Sequence, residues 1–157
     1  MECINTEIRE AVIEDLPILK IFEQEIIQFE RPFASNIKKD PVTYYDLKEL
    51  ILQKDSQVLV AIIDNKIVGS GYAQIQNSKP YFEPKQYVYL GFMFVSPPYR
   101  GKGINGEITT KLIEWAKSRN LSEIQLDVYA TNESATKAYT KIGFKPDLLK
   151  MRFNTEE

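Results

Sequence analysis

Three glycines with the spacing G-x-G-x-x-G form the strongest chemical signal in the chain. Gly101, Gly103 and Gly106 lie between a buried strand-like run and a predicted helix, with Arg100 and Lys102 among them. The first turn of a helix exposes unpaired N–H groups and the positive end of the helix dipole, and glycine lets the backbone come close to a bound group. This combination favours an anion, and a pyrophosphate is the expected one.

Two other interpretations of the glycine loop compete with this one. A dinucleotide-binding Rossmann unit uses the same spacing, and Asp127 follows Gly106 by about 20 residues, where that fold places a ribose-binding acid. In a Rossmann unit, however, the first glycine follows its strand almost at once, whereas residues 96–100 separate Val95 from Gly101 here. Too little chain follows the loop for the repeated βαβ units of that fold. A plain glycine-rich turn does not account for two cations at a helix start.

The composition excludes several kinds of catalytic site. The chain contains no histidine, so no Ser-His-Asp or Cys-His unit and no histidine-ligated metal site can form. A single cysteine, Cys3, excludes an internal disulfide and a thiolate metal cage. Twenty basic and 22 acidic residues give a net charge of -2, which argues against nucleic-acid binding. We find no secretory signal and no membrane-spanning apolar run of about 20 residues, so we expect a cytoplasmic protein with no membrane partner.

Hydrophobic periodicity and turn residues predict the elements that position the loop. The run from Tyr87 to Val95 is apolar or aromatic except at Gly91, which is typical of a central strand covered on both faces. Antiparallel hairpins come first and two βα units last, which indicates a mixed sheet with helices on both faces. The predicted elements are strands over 4–11, 58–63, 66–76, 87–95 and 123–129, one or two strands over 144–153, and helices over 15–30, 40–54, 105–119 and 132–142.

Two motifs resemble those of the GNAT N-acetyltransferase superfamily. The first resembles the Arg/Gln-x-x-Gly-x-Gly/Ala signature of that family, although its last position, usually Gly or Ala, is Asn105 here. The second resembles the segment that supports coenzyme A and the reaction centre. The motifs are Pro97-x-Tyr99-Arg100-Gly101-Lys102-Gly103-Ile104 and Asn132-x-x-Ala135-x-x-x-Tyr139-x-Lys141-x-Gly143-Phe144.

The resemblance implies a single GNAT domain over residues 1–157. The expected fold is α/β (α+β), with a central mixed, mostly antiparallel sheet of six to seven strands flanked by about four helices. The implied activity moves an acetyl group from acetyl-CoA to a primary amine of a small molecule or a peptide, by direct attack in a ternary complex. A protein nucleophile is not required for that reaction, which suits a chain without histidine.

The same resemblance implies roles for individual residues. Phe94 and Val95 would pair with the pantetheine arm, Asn132 would hydrogen-bond to it, and Tyr139 would protonate the departing thiolate. Taken without the resemblance, Tyr139 is better explained as an ordinary core aromatic, because it lies on the apolar face of the predicted last helix. The pyrophosphate would be held by the backbone amides of Arg100, Gly101, Lys102, Gly103, Ile104, Asn105 and Gly106.

The sequence does not identify the general base or the acceptor amine. The central strand has no carboxylate, and a water chain to solvent is an alternative to any side chain. A non-catalytic acyl-CoA-binding domain is the second hypothesis for function, and a homodimer is also open. We expect the acceptor amine between the first two helices and the loop 77–86. The candidate bases are Glu25, Glu30, Glu83 and Asp127, and the aromatic residues around the expected acceptor are Phe29, Phe33, Tyr44, Tyr45, Tyr81 and Phe82.

Overall fold

A computed structural model describes residues 5–156, so Cys3 lies outside the described residues. The chain forms two compact units, one that ends at Asp127 and one that begins at Val128. The expectation of a single domain over residues 1–157 stays a prediction. In the described part of the chain, no helix is both long and apolar enough to cross a membrane.

Among residues 5–156, the first unit contains a five-stranded sheet and three α-helices, and the second unit contains one α-helix. The strands are β1 (Glu7–Glu10), β2 (Ser56–Ile63), β3 (Lys66–Asn77), β4 (Gln86–Val95) and β5 (Ile124–Gln125). The helices are α1 (Leu16–Glu30), α2 (Leu47–Leu52), α3 (Ile104–Ser118) and α4 (Glu133–Ile142).

The sheet has the order β1-β2-β3-β4-β5 and is mixed, as predicted. The first three pairings are antiparallel, and β4 pairs with β5 in parallel. The hairpin between β2 and β3 turns at Asp64 and Asn65, which have φ values of 49° and 61°. Short polar side chains tolerate this left-handed region, so the predicted tight turn is confirmed.

A β-bulge interrupts β4 at Phe92. The β3 residues Ser70 and Tyr72 pair with Phe94 and Gly91, so one β3 residue lies opposite two β4 residues, and Phe92 has a φ of 56°. A bulge changes which face of the sheet the following side chains occupy. As a result Phe92 and Phe94 join the core on the face that carries α1 and α2.

Close packing of α3 covers the other face of the sheet. A Cβ at Gly71 would lie 2.8 Å from Ile108 and 3.2 Å from Leu112, both on α3. A Cβ at Gly69 would lie 3.3 Å from Ile108. The glycines of β3 therefore let α3 approach the sheet behind β4, and this approach fixes the start of α3 beside the end of that strand.

Two predictions about strands are corrected. Pairing of β4 with β5 is limited to Val88 with Ile124 and Tyr89 with Gln125, so the strand predicted over 123–129 is short. The bulge at Phe92 bends β4, which explains why the two strands part after Tyr89. The described residues of 144–153 form no strand, and the sheet has five strands rather than six to seven. Alternation of apolar and polar residues predicts which side chains share a face, but it does not predict which strand will pair with the segment. Pro146 also lacks the backbone N–H that a strand at this position would donate to its neighbour.

The start of the second helix also differs from the sequence prediction. The second helix begins after Asp46, whose side chain accepts a hydrogen bond from Glu49 N at 3.1 Å. Asp40, the predicted start, instead pairs with Arg31 at 2.8 Å. The first helix begins as predicted, with Asp15 as its N-cap residue and Pro17 in its first turn. The Asp15 carboxylate accepts from Val12 N at 2.8 Å, in the 3-10 turn over Ile13–Asp15 that precedes the helix.

Candidate active site

The glycine loop adopts the conformation that its glycines permit. Gly101 and Gly103 have φ values of 77° and 84°, in the left-handed region that other residues rarely occupy. A Cβ built at Gly101, Gly103 or Gly106 would meet no atom within 4 Å, so the space over the loop is open. Gly103 is the N-cap residue of α3, and the loop therefore ends directly in the helix.

The first turn of α3 supplies the donors. Glu107 N donates to Gly103 O at 3.1 Å, which is the first bond of the helix. The amides of Ile104, Asn105 and Gly106 precede that bond, so the helix provides no acceptor for them. Ile104 is buried beside β3 and anchors the loop, so its backbone rather than its side chain serves the site.

Arg100 serves the loop differently from the prediction. Its Nε donates to Val95 O at 2.8 Å, and its backbone N–H already bonds to Pro97 O at 3.3 Å. The guanidinium also lies 5.9 Å from the Phe29 ring centroid and 5.8 Å from that of Phe94. Arg100 thus fixes the end of β4 against α1, and its amide is committed within the 3-10 turn before the loop.

The end of β4 offers backbone groups on the side away from β3. Ser96 N donates to Val68 O of β3, so alternation along the strand turns the N–H and C=O of Val95 toward the opposite edge. Phe94 pairs with Ser70 and directs its backbone groups to β3. Within the unit that ends at Asp127, β5 covers this edge only at Val88 and Tyr89. We call the remainder, residues 90–95, the open edge of β4.

The open edge modifies the expected roles of Phe94 and Val95. Because the carbonyl of Val95 accepts from Arg100, the Val95 N–H is the group that can pair with an added strand. The side chain of Phe94 packs in the core, where its ring centroid lies 4.5 Å from that of Phe22 on α1.

The second unit contains Asn132 and Tyr139, at the start and near the end of α4. The Asn132 side chain accepts from Ala135 N at 3.2 Å and is the N-cap of the helix. Tyr139 contacts the Phe144 ring edge-on, with ring centroids 5.8 Å apart. The helix ends at Gly143, with a φ of 127°, as the sequence predicts.

The aromatic residues expected around an acceptor separate into groups. Tyr81 and Phe82 pair with each other in the loop before β4 and are 73% and 57% exposed. Phe29 pairs with Phe33. Tyr45 instead turns inward, where its ring contacts Phe92 at 5.2 Å and Tyr72 at 5.7 Å.

The four candidate bases lie in different surroundings. Glu30 at the end of α1 is half-buried, and this burial raises its pKa, while a hydrogen bond from Tyr44 acts in the opposite direction. Asp127 accepts a hydrogen bond from Tyr89 Oη at 3.1 Å. Glu25 lines an open cleft of about 670 Å³ between α1 and the turn at Pro97. Glu83 is exposed in the loop before β4.

Three features of the site escaped sequence analysis. These are the bulge at Phe92, the Arg100 contact with Val95, and the packing of Tyr72 over Gly91. A Cβ at Gly91 would lie 2.6 Å from the Tyr72 ring and hydroxyl, so the missing side chain makes room for that phenol. Gly91 was the one interruption in the apolar run of β4, and that interruption was the available signal.

Comparisons with known proteins identify the family of this chain. The sequence model of the acetyltransferase (GNAT) family matches residues 22–144. An uncharacterized N-acetyltransferase from Archaeoglobus fulgidus is 32% identical over 85% of this chain and 88% of its own length. The chain belongs to the GNAT family.

Solved structures share the fold. A tetramutant of the BH1408 protein from Bacillus halodurans superposes with a TM-score of 0.84 at 22% identity, over 94% of this chain and 99% of that one. A predicted acetyltransferase from Clostridium acetobutylicum, solved with acetyl-CoA, gives a TM-score of 0.73 at 19% identity, over 96% of each chain. Together with the family match, these relatives support acetyl transfer from acetyl-CoA to an amine.

Proposed function

We propose that this protein is an N-acetyltransferase that transfers the acetyl group of acetyl-CoA directly to a primary amine. The observation that carries the proposal is the glycine loop at the start of α3. Two left-handed glycines leave open space over a helix N-terminus, and the loop follows the open edge of β4 after a short turn over residues 96–100. Backbone donors and the helix dipole favour a pyrophosphate in that space.

The neighbouring backbone suits the rest of acetyl-CoA. The Clostridium acetobutylicum relative was solved with that molecule, which supports the same ligand here. With its pyrophosphate over Gly101 and Gly103, the pantetheine arm would extend along the open edge of β4 and accept a hydrogen bond from Val95 N–H. The arm would thus add a strand at the edge that β5 leaves uncovered.

Two residues of the second unit, Asn132 and Tyr139, have the roles that the resemblance to the GNAT family implies. Asn132 uses its side-chain oxygen as a helix cap, which leaves its amide NH₂ to donate to the pantetheine. Tyr139 would donate a proton to the sulfur as the C–S bond breaks. A phenol has an ordinary pKa of about 10, close enough to that of a thiol for this transfer.

Substitution of Gly103 tests the loop. Gly103→Val places a branched side chain in the open space and at a φ of 84°, so we expect the affinity for acetyl-CoA to fall at least about tenfold. Gly106→Ala is the matched control, because a Cβ there also meets no atom and its φ is not left-handed. Titration calorimetry with acetyl-CoA measures both.

A charge reversal separates binding from any strain in the loop. Lys102→Glu leaves the glycines unchanged and should weaken acetyl-CoA binding, with an effect that diminishes at high salt. Lys111→Glu on the exposed face of α3 is its control. Wild-type affinity in both Gly103→Val and Lys102→Glu would show that acetyl-CoA binds elsewhere.

A further inference from the structure

A cluster of three phenols lies between two carboxylates where β4 and β5 part. The ring centroids of Tyr45 and Tyr72 are 5.7 Å apart, and those of Tyr72 and Tyr89 are 6.3 Å apart. At one end Tyr89 Oη donates to Asp127 Oδ2 at 3.1 Å. At the other end Glu30 is close enough for its charge to act on both Tyr45 and Tyr89. We call these five residues the phenol cluster.

Backbone and buried groups hold the phenol cluster in place. Tyr72 lies over Gly91, where any side chain would collide with its ring. Glu23 is buried, and its Oε2 accepts from Tyr44 N at 3.0 Å and from Tyr45 N at 2.7 Å. A backbone hydrogen bond from Phe92 reaches the Tyr45 side chain, so the cluster abuts the bulge of β4. Such support is typical of residues whose position matters for a site.

The protonation states give the phenol cluster its charge. Burial raises the pKa of Tyr72 to about 12, with a further contribution from the charge of Asp127. Burial also raises the pKa of Tyr45 and of Tyr89. The phenols are therefore neutral at neutral pH, so any negative charge in the cluster belongs to its two carboxyl groups. Aromatic faces and carboxylates both attract an ammonium group, so a cation complements this surface.

The position of the phenol cluster relates it to the acetyl group. The glycine loop lies beyond the Val95 end of β4, and the cluster lies beside Tyr89 and the bulge at Phe92. An arm that extends from the loop along the open edge of β4 runs toward the bulge. Its thioester end would thus approach the phenol cluster, while its phosphates stay at the opposite end of the strand.

We infer that the phenol cluster binds the acceptor as the ammonium form of an aliphatic primary amine and removes one proton through Tyr89 and Asp127. The inference rests on the proposed acetyltransferase function. One ammonium proton passes to Tyr89 Oη as the proton of that hydroxyl passes to Asp127 Oδ2. The neutral amine then attacks the thioester carbonyl, a C–N bond forms and the C–S bond breaks. The second nitrogen proton passes to solvent water, and the thiolate takes up one proton from the proposed general acid, which regains it from water. Asp127, which is exposed, returns its proton to water, so one proton is released overall.

Removal of the relay tests this inference. Asp127→Asn and Tyr89→Phe should each lower kcat/KM for cadaverine at pH 7 by at least about tenfold, with the affinity for acetyl-CoA unchanged. Asp55→Asn and Glu114→Gln are the matched controls, because they remove exposed carboxylates outside the candidate site, and both should retain wild-type rates. Thermal unfolding of each variant verifies that it is folded.

Two further comparisons separate a proton relay from a structural role. The loss in Asp127→Asn should shrink as the pH rises and cadaverine becomes neutral. It should also be small at pH 7 for O-methylhydroxylamine, which is uncharged at that pH. A loss of equal size at every pH and with both amines would overturn the relay.

The outcome for the wild-type protein distinguishes the two proposals. If it acetylates no amine, the proposed function is wrong and this inference fails with it. If it acetylates cadaverine and both relay variants match its rate, the proposed function stands and the phenol cluster is not the acceptor site.

Discussion

At the scale of single residues, Tyr139 is the proposed proton donor, and its ring also has a packing role. Its ring meets Phe144 edge-on, and this contact does not require the hydroxyl. We expect Tyr139→Phe to bind acetyl-CoA with wild-type affinity and to lose about tenfold or more in kcat, because the departing thiolate loses its proton donor.

Steady-state thiol release and calorimetry on the same preparation measure the two quantities for Tyr139→Phe. Tyr81→Phe is a suitable control, since Tyr81 is an exposed phenol in the loop before β4. Turnover by Tyr139→Phe at the wild-type rate would remove the general-acid assignment.

At the scale of elements, the junction of β1 with α1 depends on one carboxylate. Asp15 accepts two hydrogen bonds from Arg9, at 2.7 Å and 3.1 Å, and one from Val12 N at 2.8 Å. The hydrogen bonds from Arg9 are the main reason that the pKa of Asp15 is lowered, and burial opposes them. The ionised form is therefore favoured in the folded protein.

This junction predicts a pH-dependent loss of stability. A lowered folded-state pKa stabilises the protein above the ordinary aspartate pKa of about 4, and the stabilisation disappears as the pH falls through the folded value. Asp15→Asn should lower the free energy of unfolding by about 1–3 kcal/mol at pH 7, since it removes the negative charge that pairs with Arg9 and one of the two oxygens that accept from it. The difference from wild type should narrow toward pH 3.

Urea unfolding at both pH values measures the effect of Asp15→Asn. Asp55 is the control, because it is largely exposed and lies 4.0 Å from Arg119. Asp55→Asn should change little. An equal loss for Asp15→Asn at pH 7 and pH 3 would show that the charge of Asp15 is not what stabilises the junction.

At the scale of the whole molecule, local sequence patterns predicted individual helices and strands better than they predicted which strands pair with each other. The apolar run of β4, the hairpin at Asp64–Asn65 and the glycine start of α3 all follow from neighbouring residues, and the structure confirms them. The strand predicted over 144–153 failed because a ladder requires a partner edge, which periodicity does not specify.

The candidate site shows the same division. The glycine loop was predictable because a helix start and left-handed glycines are local features. The phenol cluster was not, because Glu30, Tyr72 and Asp127 meet through tertiary packing between α1, β3 and the segment after β5. Tyr45 was expected near an acceptor as an aromatic residue, but its neighbours depend on the space left by Gly91.

Incubation with acetyl-CoA that carries ¹³C in its acetyl group tests the central claim most directly. The wild-type protein is mixed with a panel of primary amines, and the products are identified by mass spectrometry while free thiol is titrated. The account predicts an amine that carries the labelled acetyl group, formed in equal amount to the released thiol and reduced in Gly103→Val. Tight binding of acetyl-CoA without transfer to any amine would contradict it and would favour a non-catalytic acyl-CoA-binding protein.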